Sequence, residues 1–349
     1  MALACPACGV PFHPPNGRAF LPGSCANCGG AVWSQRQFAG LELRALVGRG
    51  EMSVTFRAYD PERGCEVALK IIRPPAAALA PDIAAFVAAA RRLRTLTHPH
   101  LVRVFAAGVE EGLPYLVMEY LPRGSLATRL AREGAMEERE VLALGCQAAE
   151  ALDRAQAAGL PHRDLQPRRI RFAEDGTIRL TGFAESIFLD CASMDVGIVR
   201  GRLCYVSPER LCGLLEDARS EIYTLGAALH VALTGTAPHG GELHGEVLRD
   251  LLDTETVRVE DARPGLAPAT CAVVNRMLQV DFAGRPQSWA EAAAALGEAQ
   301  ATVAGGGAGR GAVTLVLILL LALTVGVSAW TSTPEYASAQ MLAETPAIY

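Results

Sequence analysis

No surplus of positive charge runs through this chain: 32 Lys and Arg against 37 Asp and Glu leave a net charge of −5 over 349 residues. Without a global basic field, nucleic acid is not an expected partner. Met1 to Val10 has neither a basic start nor an apolar run of useful length, so no signal peptide is read there. The front of the chain is therefore expected in the cytoplasm, where thiols stay reduced. Internal repeats are missing apart from two short cysteine knuckles. Elsewhere cysteine is scattered: Cys65, Cys146, Cys191, Cys204, Cys212 and Cys271 stand alone and read as small apolar side chains. What the chain does have is apolar residues, 50% of the total, enough to bury a full core.

Four of the ten cysteines fall in the first 28 residues, as Cys5-Pro6-Ala7-Cys8 and Cys25-Ala26-Asn27-Cys28. Each pair closes a tight turn that aims two thiolates at one point. Two such turns supply the four sulfurs of a tetrahedral zinc site, and residues 1–33 are read as a zinc ribbon. Four thiolates fill the coordination sphere, so the expected Zn2+ is structural, with no position left for a catalytic water. His13, alone between prolines, reads as an exposed side chain.

At the other end, residues 299–311 read as a Gly-rich linker. Residues 312–330 carry no charge and are dominated by Leu, Val and Ala, about the 20 residues needed to cross a bilayer. A single membrane span is expected there, with Trp330 at its interface and 331–349 as a short extracytoplasmic tail. Arg310, together with the absence of an export signal, places the larger domain on the cytoplasmic side of the cell membrane.

Between these ends, the run His162-Arg163-Asp164-Leu165-Gln166-Pro167-Arg168-Arg169-Ile170 resembles the catalytic loop of the eukaryotic-like protein kinases. The resemblance to bacterial Ser/Thr kinases covers about residues 41–298. Gly48 and Gly50 match the Gly-rich loop between two strand-like stretches, with Ser53 at the place of its third Gly. Val67-Ala68-Leu69-Lys70 matches the strand whose Lys contacts nucleotide phosphates. Pro114 to Leu121 resembles the strand and hinge that meet adenine, with Met118 as gatekeeper and Glu119 and Leu121 as hinge contacts. Ser207-Pro208-Glu209, the helix carrying Glu221 and Gly226, and Arg285 follow in order. The resemblance implies an α+β, bilobal fold, with a small β-rich lobe and a large helical lobe. It also implies ATP, Mg2+ and protein hydroxyl groups as substrates and cofactors.

The positions that would handle metal and phosphate are edited. Asp164 survives as the candidate base, but the family's Lys is Gln166 and its metal-binding Asn is Arg169. The Glu that holds the strand Lys falls at Ala89, and no acid occurs between Ile83 and Val109. The metal-binding Asp is Gly182 and the Gly two residues on is Ala184. No carboxylate occurs from Gly176 through Ala184, which leaves Glu185 as the nearest acid able to stand in. The phosphoacceptor Thr is Arg202, and no Thr occurs from Glu185 to Val206. Meanwhile His162, Phe183, Pro208, Glu209, Gly226 and Arg285, positions suited to the core, keep the pattern.

This selective loss points to a membrane-anchored pseudokinase, acting by binding a protein partner. Arg169 is expected to pair with Asp164 and to replace the charge of the metal. Two alternatives stand beside it. One is an active Ser/Thr kinase with atypical metal ligation, drawing on Lys70 and Asp164. The other is a zinc-ribbon adaptor that recruits a protein to the membrane.

Overall fold

The computed structural model describes residues 3–5, 8, 10–12, 23–29, 31–32, 37–50, 52–74, 78–191, 203–239 and 258–305. Two hairpins open the chain. Strand β1 (Leu3–Ala4) pairs antiparallel with β2 (Pro11–Phe12), and β3 (Gly23–Ser24) with β4 (Ala31–Val32).

A six-stranded antiparallel sheet follows, built from β5 (Gln37–Phe38), β6 (Leu41–Arg49), β7 (Ser53–Asp60), β8 (Cys65–Ile72), β9 (Val104–Glu110) and β10 (Leu113–Glu119). Its spatial order is β5-β6-β7-β8-β10-β9. Side chains alternate between its faces with a period of two. On the inner strand β8, Val67, Leu69 and Ile71 join Phe38, Phe56 and Val117 in a small apolar cluster. Ala68 and Ile72 point the other way, into the main core. Lys70, between them in this alternation, is carried to that same side.

Helix α1 (Ala80–Thr95) has a Pro in its first turn and Asp82 accepting from Leu79 N at 2.6 Å. It buries Phe86, Val87, Ala90 and Leu93, a spacing that makes one face of a helix. That face covers the sheet beside β9.

The second lobe is helical. It contains α2 (Leu126–Glu133), α3 (Glu138–Ala157), the short hairpin β11 (Ile170–Phe172) and β12 (Ile178–Leu180), then α4 (Ser186–Cys191) and α5 (Pro208–Leu211). Helices α6 (Ala218–Thr234), α7 (Val259–Ala262), α8 (Pro268–Met277) and α9 (residues 289–305) complete it. Helix α6 is apolar nearly all round and sits in the middle of the lobe, against α3 and α8. Gly226 makes the contact with α8 possible, since a Cβ there would lie 2.8 Å from Met277 Cβ.

The bilobal α+β architecture agrees with the sequence reading, but the folded unit is longer at both ends. It begins at Gln37, because buried Phe38 pairs with Leu41 and extends the sheet. At the far end, residues 299–305 of the expected linker are helical. Ala299 is buried, Val303 packs against the core, and Arg139 Nη2 donates to Val303 O at 2.9 Å, satisfying a carbonyl of the last turn. Among the described residues, no helix is long and apolar enough to cross a membrane; the expected span 312–330 and tail 331–349 lie outside them.

Candidate active site

The cleft between sheet and helical lobe is a cavity of about 160 Å³, with Gly48, Gly50 and Ser53 along one rim and Glu119 and Leu121 along another. Gly50 N donates to Ser53 O at 2.8 Å, so the loop closes on the first residue of β7. Arg171 Nη2 donates to Leu121 O at 3.0 Å, and Glu119 N donates to Arg103 O at 2.9 Å. Ala68, Met118 and Leu121 give the cleft an apolar wall.

Four charged side chains meet at its inner end. Lys70 Nζ donates to Glu185 Oε1 at 2.5 Å. Arg169 Nη1 donates to Glu185 Oε2 at 2.8 Å, and Arg169 Nη2 to Asp164 Oδ2 at 2.7 Å. Gln166 Nε2 then takes Asp164 Oδ1 at 2.6 Å. Every carboxylate oxygen of Asp164 and Glu185 thus holds a donor. All four charged groups are buried, and their formal charges cancel.

Local structure explains why these residues meet. A 3-10 turn over Pro167–Arg169 starts on the fixed φ of Pro167 and leads into β11. Thr181 N and Oγ1 both donate to Arg169 O, at 2.9 and 3.0 Å. Pairing of Ile170 with Leu180 sets the register of the hairpin and brings Gly182 against the Arg169 side chain. A Cβ on Gly182 would lie 2.8 Å from Arg169 Cδ and Nε, and its φ of +100° disfavours any other residue. Ala184 then adopts φ +69°, and Glu185 N approaches Gly182 O at 3.4 Å. This reversal turns Glu185 back toward Lys70. The edits at 169 and 182 are therefore one steric unit: the guanidinium occupies space that a side chain at 182 would need.

Burial pulls the Lys70 ammonium down to about 8, with the Glu185 carboxylate opposing that shift. Burial also opposes the charge on Arg169, but Glu185 and Asp164 outweigh it and raise its pKa. For Glu185 burial favours the neutral acid, and Arg169 and Lys70 outweigh it to hold the carboxylate ionised. Behind the tetrad His162 is fully buried and drops to about 4, through desolvation and then the nearby Arg169 charge. Its Nε2 lies 3.0 Å from Thr181 O and its Nδ1 accepts from Asp164 N at 3.3 Å, a pattern that suits the neutral ring. Phe183 packs edge-on against it at 4.5 Å.

Ala89 lies half-buried on α1 and makes no ion pair. The helix is instead secured by apolar contact, with Phe86 against Phe188 of α4 at 5.2 Å. The Arg169–Asp164 pair agrees with the sequence expectation. Glu185, considered as a substitute metal ligand, here has both its oxygens on cations. Its part as the partner of Lys70 was missed, and the only sequence signal was that it is the first acid after a long gap. Arg202 lies outside the described residues.

A magnesium ion needs hard oxygen ligands in octahedral array. Here Arg169 and Gly182 offer none, and the oxygens of Asp164 and Glu185 are bound to cationic or amide donors. The donor set does not fit the metal.

The four thiols of the hairpins do converge, with their Sγ atoms within 4.8 Å of one another. Cys5 Sγ lies 3.7 Å from Cys28 Sγ, and Cys8 Sγ 3.7 Å from Cys25 Sγ. Zinc–sulfur bonds of 2.3 Å give a tetrahedron with edges of about 3.8 Å, so the set fits. The Val10 N–H, then the Asn27 side chain, bring the Cys8 thiol down to about 6.

The protein kinase domain family matches residues 41–295. The chain belongs to that family. Its kinase domain is of the bacterial Ser/Thr type: the serine/threonine-protein kinase PknK of Mycobacterium tuberculosis is 30% identical over 265 residues, covering 75% of this chain and 24% of PknK. PknB of Mycobacterium leprae is 29% identical over 261 residues, 73% of this chain and 42% of that protein. The chain thus matches well under half the length of these curated relatives. The crystal structure of the Mycobacterium tuberculosis PknI kinase domain superposes with a TM-score of 0.60 at 25% identity, covering 75% of this chain and 97% of that one. Within this kinase domain Glu209 and Arg285, both read as core positions, pair with each other, Arg285 Nη1 donating to Glu209 Oε1 at 2.6 Å.

Proposed function

We propose that this chain is a catalytically impaired kinase-family protein, anchored to the cell membrane and acting as a signalling or scaffold module through protein partners. The observation that carries this reading is the Arg169 guanidinium bridging Asp164 and Glu185. Phosphoryl transfer in the family depends on metal ions that bridge the phosphates, and on an Asp that accepts the proton of the attacking hydroxyl. At the metal positions stand a cation and a glycine. At the base position, Asp164 has both oxygens engaged and would have to break a buried ion pair to serve. The segment 312–330 supports the anchor, through its length and lack of charge. Cys5, Cys8, Cys25 and Cys28 would hold a structural zinc, which ties two short hairpins that have little core of their own.

The rival reading, an active Ser/Thr kinase using ATP and a divalent metal on protein hydroxyls, draws on Gly48, Gly50, Lys70 and Asp164. One assay separates the two: incorporation of label from γ-labelled ATP by the full chain purified in detergent, with magnesium and then manganese, and Asp164→Asn as control. The impaired-enzyme reading expects no label above that control from a cooperatively folded protein. Label incorporated only by the unmodified chain would overturn it.

A further inference from the structure

Lys70 is the only lysine in the chain; every other residue among the 32 Lys and Arg is an arginine. That one ammonium is 8% exposed and lines the cleft beside Gly48 and Gly50. An ammonium is a compact point charge, whereas a guanidinium is a planar fork, so the two are not interchangeable here. Five cationic and two acidic side chains line the cleft. Adding Asp164, behind Arg169, still leaves the cations in excess. The surplus lies on exposed Arg49 and half-buried Arg168 and Arg171, since the four buried charges cancel. A cleft lined by one sign of charge attracts an ion of the other, here an anion.

Glu185 indicates which kind. Its carboxylate takes Lys70 on one oxygen and Arg169 on the other, at 2.5 and 2.8 Å. Two oxygens of a phosphate present the same two-point acceptor to such donors. Resting on the impaired-enzyme reading above, we infer that the cleft binds a nucleoside polyphosphate without any divalent metal, Arg169 and Lys70 supplying the positive charge and Glu185 acting as an internal stand-in for phosphate. The base would lie against Ala68, Met118 and Leu121, with the phosphates under the glycine loop. A divalent ion gains nothing at the inner end, where it would meet the guanidinium of Arg169. A phosphate can take Lys70 and Arg169 only if Glu185 gives way, because its two oxygens already hold both donors.

The test is a calorimetric titration of the full detergent-purified chain with ATP or adenosine, in excess EDTA or in magnesium. The site is located by protection of Lys70 from acetylation, read by peptide mass spectrometry; the sole lysine leaves no other side-chain amine to confuse it. The expected result is ATP affinity in EDTA within twofold of that in magnesium, adenosine at least tenfold weaker, and Lys70 protected by ATP alone. Glu185→Gln, which keeps the shape but releases the charge, should tighten ATP several-fold. Binding that needs magnesium, equal affinity for ATP and adenosine, or no binding by a cooperatively folded chain would each overturn the inference. Should Glu185→Gln fail to fold, the EDTA comparison on the unmodified chain still decides. The two readings fail separately. Label transfer together with metal-free binding would sink only the impaired-enzyme reading, and magnesium-dependent binding without transfer would sink only this one.

Discussion

Arg285 and Arg169 are both buried guanidinium groups held by acids, and they differ in what completes their hydrogen bonding. Arg285 is fully buried; besides Glu209 it donates to Gln279 O at 2.6 Å, Val280 O at 2.9 Å and Arg219 O at 3.0 Å, and it lies 4.9 Å from the Tyr223 ring. Backbone carbonyls fix three sides of that site, so no mobile ion can replace them. Arg169 donates only to side-chain carboxylates in the bonds described above, and it lines a cavity. The first arrangement is a fastener. The second is an exchangeable set of charges, with an opening through which another anion can enter.

Removing Arg285 should therefore give the largest loss. Arg285→Ala leaves Glu209 buried without its partner and three carbonyls without a donor, and urea unfolding should fall by about 5 kcal/mol, the upper end for breaking a buried pair. Arg169→Ala leaves Asp164 and Glu185 facing one another and should cost about 3 kcal/mol in the same measurement, partly relieved by water entering from the cleft. If Arg169→Ala proves neutral, the tetrad is not formed in solution and the contrast between the two arginines collapses.

A smaller effect sharpens the steric side of the comparison. Gly182→Asp places a Cβ against Arg169 and forces φ +100° on a non-glycine residue, for an expected cost of about 1–3 kcal/mol. Combining it with Arg169→Asn should cost less than the two single changes added together, because one relieves the clash of the other. Additive losses in that double-mutant cycle would show that positions 169 and 182 do not touch.

The smallest effect concerns pH. Glu221 accepts from Arg163 N at 2.6 Å, and burial pushes its carboxyl up to about 7 against the pull of the Arg163 and His162 backbone N–H groups. Its folded pKa lies above the unfolded value of about 4.3, so the stability it contributes is present below that pH and is lost as pH rises through about 7. Buried His162, held at about 4, works in the opposite sense up to about pH 6.5. The test is therefore the difference in melting temperature: Glu221→Gln should gain stability over the unmodified chain as pH rises from about 5.5 to about 7. An unchanged slope in the variant would place the titration elsewhere.

Much of the fold was legible because its determinants are local. The motifs from Gly48 and Lys70 through Asp164 to Arg285 carry the family resemblance that implies two lobes, and the spacing of the cysteine pairs fixes their turns. The loss of Asn and Asp at 169 and 182 was equally plain. Less legible were the ends of the domain, since Phe38 and Val303 belong to it through packing across the sheet and against α3.

The sequence by itself determined the paired thiols and the substitution of a cation and a glycine for two metal ligands, and its motifs carried the resemblance that implies two lobes. These follow from side-chain chemistry at fixed spacing. Only the tertiary structure decided who partners whom. Lys70 and Glu185 are 115 residues apart, and their meeting depends on the β11–β12 register, the positive φ of Ala184 and the packing of Phe188 on Phe86. Charge pairing at such separation costs chain entropy that no local pattern reveals, and it is recovered only when the whole core has closed around it.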